Sequence, residues 1–369
     1  MADTLTIVLH GPHESAGGGV LAFCEALESG LSSLAAGERP RVMRLNAGAG
    51  RGDRTTPGGA LAGAWALAAS LPAAWRLARP GHVFHLNTSF TQKALVRDAL
   101  LFLVARSRGC PTVVQFHGGA PADAPDPLSH WATASLCRAD RIVVLNGRQQ
   151  RELEARFPGI ARKTSRLPNS VVLPPPADAA RAEPRLANPR LLFLGRLDPR
   201  KGILECVRAL VVMRQHGLTP PLEVAGDGQT LAEAEALAGQ LGLGDQVTFH
   251  GRVSGKAKDE LLRESSLLLL PTYYPEGQPI AVLEAYAWGL PVVACDLEPV
   301  SELVRDRVNG RLVPPRDPAA LAGAVLSLLA DEALYRACSE TNRRLAETEF
   351  DSRGNAARFL DLYRTVASA

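Results

Sequence analysis

Two carboxylates in the stretch Pro275-Glu-Gly-Gln-Pro-Ile-Ala-Val-Leu-Glu-Ala285 stand where residues of their kind can hold one ligand from both sides. Glu276 lies in a loop. Glu284 lies eight positions on, inside a helix in which apolar Ile280, Leu283 and Ala287 recur at helical spacing. Pro279 suits the opening turn, because its missing N–H is no loss there. The N–H groups at such a helix start point into the same space and favour an anion. A diphosphate resting on them has one glutamate on each side, one able to reach sugar hydroxyls and the other a ribose diol. Glu284 alone fits an ordinary capped helix with a solvated carboxylate. The pair points to a ligand.

Two cations and a histidine extend the set. The apolar run Leu191-Leu-Phe-Leu-Gly195 leads into Arg196-Leu-Asp-Pro-Arg-Lys201-Gly202, then a helix from Ile203. Cations five residues apart on a strand-to-helix loop can converge on one anion, each charge-assisted contact contributing about 1.5–3 kcal/mol. A solvated basic turn is the plainer alternative. His117 closes the strand Thr112–Phe116 and precedes Gly118-Gly119, which predicts a ring standing in an uncrowded loop. His85, inside His82-Val-Phe-His-Leu-Asn87, reads as packing.

These residues need a sheet edge to stand on. Leu267–Leu270 closed by Pro271, and Pro291–Cys295 after Gly289, frame a strand-helix-parallel strand unit. Leu5–Leu9, His82–Asn87, Thr112–Phe116 and Arg141–Leu145 are strands of a first half, the last being its final clear one. Leu222–Ala225 runs into Gly226-Asp-Gly228, and Val247–Phe249 into Gly251-Arg252-Val253. Carboxyl ends of parallel strands are where such sheets bind ligands. Gly17-x-Gly19-x-x-Ala22 is a weak dinucleotide fingerprint: its loop is too long, and the strand Val42–Leu45 ends in Asn46, not an acid. A glycine run opening a helix still lets backbone approach a ligand closely. Pro174-Pro-Pro176 opens a weakly apolar stretch to Pro189 that reads as a linker, so domains are expected over 1–176 and 189–350.

Composition bounds the answer. The 369 residues suit two domains, and 46% apolar with 21% charged residues describes a globular chain. A net charge of +3 does not argue for nucleic acid. Six cysteines without a C-x-x-C pair indicate neither a disulfide framework nor a zinc site, and fit a reducing cytoplasm. Asp3 interrupts the start, so no signal peptide is expected, and the charge-free stretch Thr55–Trp75 is too rich in Ala, Gly and Pro for a membrane span. The expected helix Ala60–Arg79, with Trp65, Leu67, Leu71, Trp75, Arg76 and Arg79, fits an ordinary surface helix or one lying on a membrane.

Pro275 to Ala294 resembles the donor-binding signature of the retaining glycosyltransferases of family 4, which has two glutamates with seven residues between them. Many relatives carry Gly-Phe-Gly where this chain has Gly277-Gln278-Pro279; the variant is similar to the branch that builds bacterial exopolysaccharides and capsules. The resemblance is strong over 190–310 and loose before 110. It implies an α/β fold of the GT-B class, two doubly wound Rossmann-like domains facing across a cleft, with the helix near 351–369 crossing back onto the first. It gives Arg196 and Lys201 the diphosphate, and His117 and Glu276 the transferred sugar. Gly18, Gly19, Gly226, Arg252, Val253, Gly277, Gln278, Pro279, Ile280 and Glu284 would hold the rest of the donor. Ser89, Lys93 and Arg97 would face the acceptor, a role a solvated helix face matches equally.

The implied reaction moves a hexose from a UDP- or GDP-sugar to a hydroxyl of a saccharide acceptor, lipid-linked, in polysaccharide biosynthesis. The cysteines lead one to expect a cytoplasmic enzyme, the Ala60–Arg79 helix leaves peripheral contact at the inner membrane face open beside an ordinary surface role, and no nucleic acid is expected. No Asp-x-Asp occurs in the sequence, so no metal or other cofactor is expected, and Arg196, Lys201 and the helix start must neutralise the leaving group. Alternatives of the same fold are a nucleotide-sugar epimerase and a glycan phosphorylase. A catalytically silent binding protein is a third, opposed by the intact Arg196, Lys201, Glu276 and Glu284 set.

Overall fold

The computed structural model describes residues 5–13, 18–46, 58–175 and 186–368, with backbone alone for 58–66. Gly17, the side chain of Trp65 and most of the proline-rich stretch beyond Pro175 lie outside the described residues. The chain divides into two units. One is Met1–Val172 with Pro275–Gln278 and Phe350–Ala369; the other is Leu173–Tyr274 with Pro279–Glu349.

The first unit is built on a parallel sheet of β1 (Thr6–Gly11), β2 (Arg41–Asn46), β3 (His82–Thr88), β4 (Thr112–Phe116), β5 (Arg141–Val144) and β6 (Thr164–Arg166), in the order β2-β1-β3-β4-β5-β6. Helices α1 (Gly19–Ser32), α2 (Gly58–Leu77), α3 (Gln92–Ser107), α4 (Pro127–Leu136) and α5 (Gly147–Arg156) alternate with the strands. The central strands are apolar runs because a parallel sheet is covered on both faces. Val8, Phe84 and Val114 meet Leu95, Phe102 and Leu136 in one cluster. Five of these strands are legible in the sequence, the sixth is not. β6 is only Thr-Ser-Arg, polar and partly exposed, and it is a strand because β5 supplies its partner at the sheet edge. Strand order reverses between β1 and β3, so their carboxyl ends, His10-Gly11 and Asn87-Thr88, sit at the switch point where open sheets bind ligands.

The second unit repeats the plan. β7 (Leu191–Leu194), β8 (Leu222–Ala225), β9 (Val247–Gly251), β10 (Leu267–Leu270), β11 (Val292–Cys295) and β12 (Gly310–Val313) form a parallel sheet in the order β12-β11-β10-β7-β8-β9. Between them run α6 (Ile203–Gln215), α7 (Leu231–Gln240), α8 (Gly255–Glu264), α9 (Ile280–Ala287) and the short α10 (Val300–Leu303), followed by α11 (Pro318–Ala330) and α12 (Glu332–Glu349). Leu191, Phe193, Leu269 and Val293 pack against Val207, Leu210 and Val325. The switch point lies between β7 and β10. Both strands run out into loops, β7 into the one with Arg196 and Lys201 and β10 into the one with Tyr274.

The chain ends in α13 (Ser352–Ala367), which counts with the first unit. It crosses α1 at Gly30, where a side chain would run into Ser352 O and Ala356 Cβ. Phe359 lies 5.7 Å from Phe23, and the Tyr363 hydroxyl lies 2.7 Å from His85 Nδ1. His85 is therefore packing, held in the core by that bond. All six cysteines are buried and free. Among the described residues, no single helix is long and apolar enough to cross a membrane.

Candidate active site

At the second unit's switch point the cations of the sequence reading come together around one ring. Arg196 Cζ lies 5.2 Å from the centre of the Tyr274 ring and Lys201 Nζ 5.1 Å. Arg200 Cζ, not foreseen, lies 4.4 Å from the same centre. A ring face attracts cations, but three like charges gathered on one ring repel one another, and an anion among them relieves that. Asp198 Oδ1 lies 3.3 Å from Arg200 Nε and accepts the Arg200 N–H at 3.0 Å. Burial works to raise the Asp198 pKa, yet those bonds and the charges of Arg200 and Arg196 hold it below the usual carboxylate range.

Backbone bonds hold this cluster in shape. Tyr273 N donates to Arg200 O at 2.8 Å, Tyr273 Oη to Pro199 O at 3.0 Å, and Tyr274 N to Thr272 Oγ1 at 3.1 Å. The loop after β10 is thereby stapled to the turn after β7. Gly202 has φ 83°, and a Cβ there would also press on Pro271 O. Gly226 and Gly228 are needed for close approach: a Cβ would strike Gly195 O at the first and Leu197 O at the second. Gly195 N donates to Ala225 O, Leu197 N to Asp227 O and Gly226 N to Gly251 O, so the ends of β7, β8 and β9 form one tight edge. Arg252 and Val253 leave that edge after β9, the first exposed and the second half-buried.

Pro279 stands at the N-cap of α9 with no side chain capping the helix start, and Ile280 and Pro279 are buried. Glu284 is not a solvated carboxylate. Its Oε1 is 2.5 Å from Lys258 Nζ on α8, a partner the sequence reading did not find.

In the first unit, His117 is not in an open loop, as its two glycines had suggested. It is 6% exposed. Its ring lies 4.8 Å from that of Phe23, and Nε2 is 2.7 Å from Asn87 Oδ1. The glycines instead let the loop turn tightly: Gly119 has φ 73°, and Gln149 of α5 donates to Gly119 O at 2.7 Å and His117 O at 3.3 Å. Asn146, which caps α5 through its Oδ1, donates from Nδ2 to Gly277 O at 2.7 Å. A Cβ on Gly277 would collide with His117 O, so only glycine lets Pro275–Gln278 lie there. Glu276 in that loop is buried. Gln278 is used on the protein itself: its Oε1 accepts from Asn169 N at 2.6 Å and its carbonyl from Asn169 Nδ2 at 3.1 Å.

The acceptor-side residues part company. Ser89 stands beside Gly118, Lys93 is exposed on α3, and Arg97 grips buried Asp98 with two bonds of 2.6 and 2.9 Å. Asp98 in turn lies 3.5 Å from His10 Nε2, so Arg97 is tied to a buried pair. Gly18 caps α1 with φ 93°, and Gly18 and Gly19 are exposed. Arg200, Tyr274, Lys258 and Asn87 were missed. Arg200 lay within the quoted Arg196–Gly202 stretch and Tyr274 just before Pro275, and no spacing rule distinguished them.

Two family models match the chain, a glycosyl transferase 4-like domain over residues 14–170 and glycosyl transferases group 1 over 177–345. The chain is 27% identical over 283 residues to an alpha-D-kanosaminyltransferase of Streptomyces kanamyceticus, covering 72% of this chain and 73% of that protein. It is 34% identical over 214 residues to a phosphatidyl-myo-inositol mannosyltransferase of Mycobacterium leprae, covering 55% of this chain and about half, 54%, of the relative's length. Anabaena Alr3699/HepE, solved in complex with UDP-glucose, superposes with a TM-score of 0.72 at 21% identity over 98% of this chain and 100% of that one, a likeness of fold. With two Rossmann-like units of the GT-B class, matched in turn by those two models, the chain belongs to the family 4 type of glycosyltransferases.

Proposed function

We propose that this glycosyltransferase moves a hexose from a nucleoside-diphosphate sugar to a saccharide hydroxyl, with retention at the anomeric carbon and without a metal. The observation that carries the reading is the gathering of Arg196, Arg200 and Lys201 around Tyr274 at a sheet switch point. Three cations there suit a leaving diphosphate. The UDP-glucose complex of the structural neighbour supports a donor of that class. Arg252, Val253 and Glu284 would hold the nucleoside; Glu276 and His117 would hold the hexose. The bond from the anomeric carbon to the diphosphate oxygen breaks, with oxocarbenium character at that carbon. The acceptor oxygen bonds to the same face, and its proton passes to the departing diphosphate. Cations already in place stabilise the charge that develops there.

A lipid-linked acceptor in polysaccharide biosynthesis is the finer proposal, supported by the Pro275–Ala294 resemblance and by the lipid named in the mannosyltransferase relative. Exposed Trp75, followed by Arg76 and Arg79, suits a first unit working beside the cytoplasmic face of a membrane. The direct test incubates the protein with UDP- and GDP-hexoses and a lipid-linked saccharide, following product by mass spectrometry and anomeric configuration by NMR. Hydrolysis or epimerisation of the donor without transfer sinks the reading.

Excess EDTA should leave transfer at close to its normal rate, because protein cations take the charge that a metal would otherwise carry. Loss of turnover restored by Mg²⁺ or Mn²⁺ overturns metal independence.

The two glutamates should separate in kinetics and calorimetry. A bond to a sugar hydroxyl can strengthen as charge builds on the ring, whereas a ribose contact is similar in ground and transition states. Glu276→Gln should depress kcat and bind the free nucleoside diphosphate nearly as wild type does. Glu284→Gln should raise KM for the donor and weaken binding of that diphosphate, with Lys258→Met as the control for the lost ion pair. The reverse order means that the two ends of the donor are interchanged.

A further inference from the structure

We infer that Asn87 is a positioning residue that keeps the proton of His117 on Nε2, leaving Nδ1 as a bare acceptor that selects a hydroxyl on the substrate. A carbonyl oxygen can only accept a hydrogen bond. Asn87 Nδ2 lies 2.6 Å from His10 O, so the amide nitrogen must face that carbonyl and Oδ1 must face away from it. Asn87 Oδ1 then stands 2.7 Å from His117 Nε2. An amide oxygen has no proton to give, so Nε2 is the donor. A neutral imidazole has one N–H, and Nδ1 therefore carries the lone pair.

The surroundings hold this arrangement. Asn87 is tied to His10 twice, since its own N–H donates to His10 Nδ1 at 3.3 Å. Both residues sit at the switch point of β1 and β3, on strand ends that cannot slip. The ring is buried against Phe23, and burial, with His10 adding to it, pushes the His117 pKa down to about 3. His10 and His85, its titratable neighbours, are pushed by burial to about 4 and about 3, so all three rings are neutral. Among the described residues, His117 Nδ1 has no hydrogen-bond partner.

Two consequences follow, and they rest on the hexosyl-transfer reading above. His117 has no proton to give the substrate, because its one N–H is engaged by Asn87 Oδ1. It is a hydrogen-bond acceptor. The group it reads must donate, so a hexose with hydrogen, fluorine or a methyl ether at that position is rejected, while phosphate or carboxylate finds no proton there to bind. A site built to receive a hydroxyl discriminates strongly against the analogue lacking it.

The test is ¹⁵N NMR of the full-length chain labelled at histidine, with His117 assigned by its loss in His117→Gln. Wild type should show the neutral Nε2–H tautomer at pH 7. An Nδ1–H tautomer or an imidazolium overturns the inference. Asn87→Ala should shift His117 towards a mixture of tautomers; an unchanged pure Nε2–H signal means that Asn87 does not set it. Should Asn87→Ala not fold, Asn87→Asp keeps an oxygen opposite Nε2 and must retain the Nε2–H form, and an Nδ1–H form there is equally fatal. In turnover, one of the singly deoxygenated donors should fall by at least about tenfold in kcat/KM with wild type, and Asn87→Ala should compress that difference. No discrimination against any deoxy donor removes the selectivity claim. The spectra need no turnover, so a protein with the stated tautomer but no hexosyl transfer refutes the functional reading and leaves the positioning role standing.

Discussion

On the proposed reaction, Lys201→Ala should lower kcat by about 10²–10³, and Arg196→Ala should do the same, because both would stabilise charge that appears only as the diphosphate leaves. Their side chains are 5.1 and 5.2 Å from the Tyr274 ring centre, in a cluster fixed by backbone bonds from Tyr273 and Tyr274. The donors would thus be in place before the charge develops, as preorganised stabilisation requires. Arg200→Ala should cost less, since Arg200 is half exposed and shares its charge with Asp198. Tyr274→Leu keeps all three cations and removes the surface they gather on, so its loss should fall between the two. Steady-state kinetics with saturating acceptor separates the cases. A variant that raises KM alone puts that cation in ground-state binding, and wild-type kcat in Lys201→Ala removes the cluster from catalysis.

Gly277→Ala should abolish most activity while leaving the fold in place. A Cβ at this position collides with the His117 carbonyl and comes within 3.3 Å of Gly118 Cα. Both obstacles are backbone, held by Gln149, so neither can swing aside. The loop must lift, which breaks the 2.7 Å bond from Asn146 to Gly277 O and moves Glu276. Overpacking of this kind costs about 1–3 kcal/mol. That can leave the protein folded, but it is large for a loop that in the proposed reaction would hold a sugar to within tenths of an ångström. Gly239→Ala is the matched control. It lies in α7 with nothing near a new Cβ, and alanine favours a helix interior over glycine. Circular dichroism should report folded protein for both, and transfer assays should report loss for Gly277→Ala alone. An active Gly277→Ala means that the loop has room the structure does not show.

Local signals in the chain determined the strands. Leu191–Leu194, Leu267–Leu270 and Val292–Cys295 are apolar runs bounded by glycine or proline, and a buried parallel strand needs little more. The same holds for the loops at their ends, because parallel topology puts every such loop on one edge. Arg196, Lys201, Glu276 and His117 therefore stand out as loop residues and Glu284 by its spacing from Glu276, while the roles proposed for them come with the family resemblance.

What each side chain meets was decided elsewhere. β6 is too short and polar to announce itself, and only pairing with β5 makes it a strand. Arg200 and Tyr274 are 74 residues apart in the chain, and they meet because β7 and β10 are neighbours at the switch point. Two glycines after His117 suggested an open ring. Instead Phe23, from α1, and Asn87, from β3, close over it, and neither is near it in sequence. Glu284 gained Lys258 in the same way, across two helices. Period and punctuation are properties of a few consecutive residues, so the sequence determined the strongly apolar strands and which loop carries charge. Burial, pairing and the tautomer of His117 depend on groups brought together by the sheet order, and only the tertiary structure decided those.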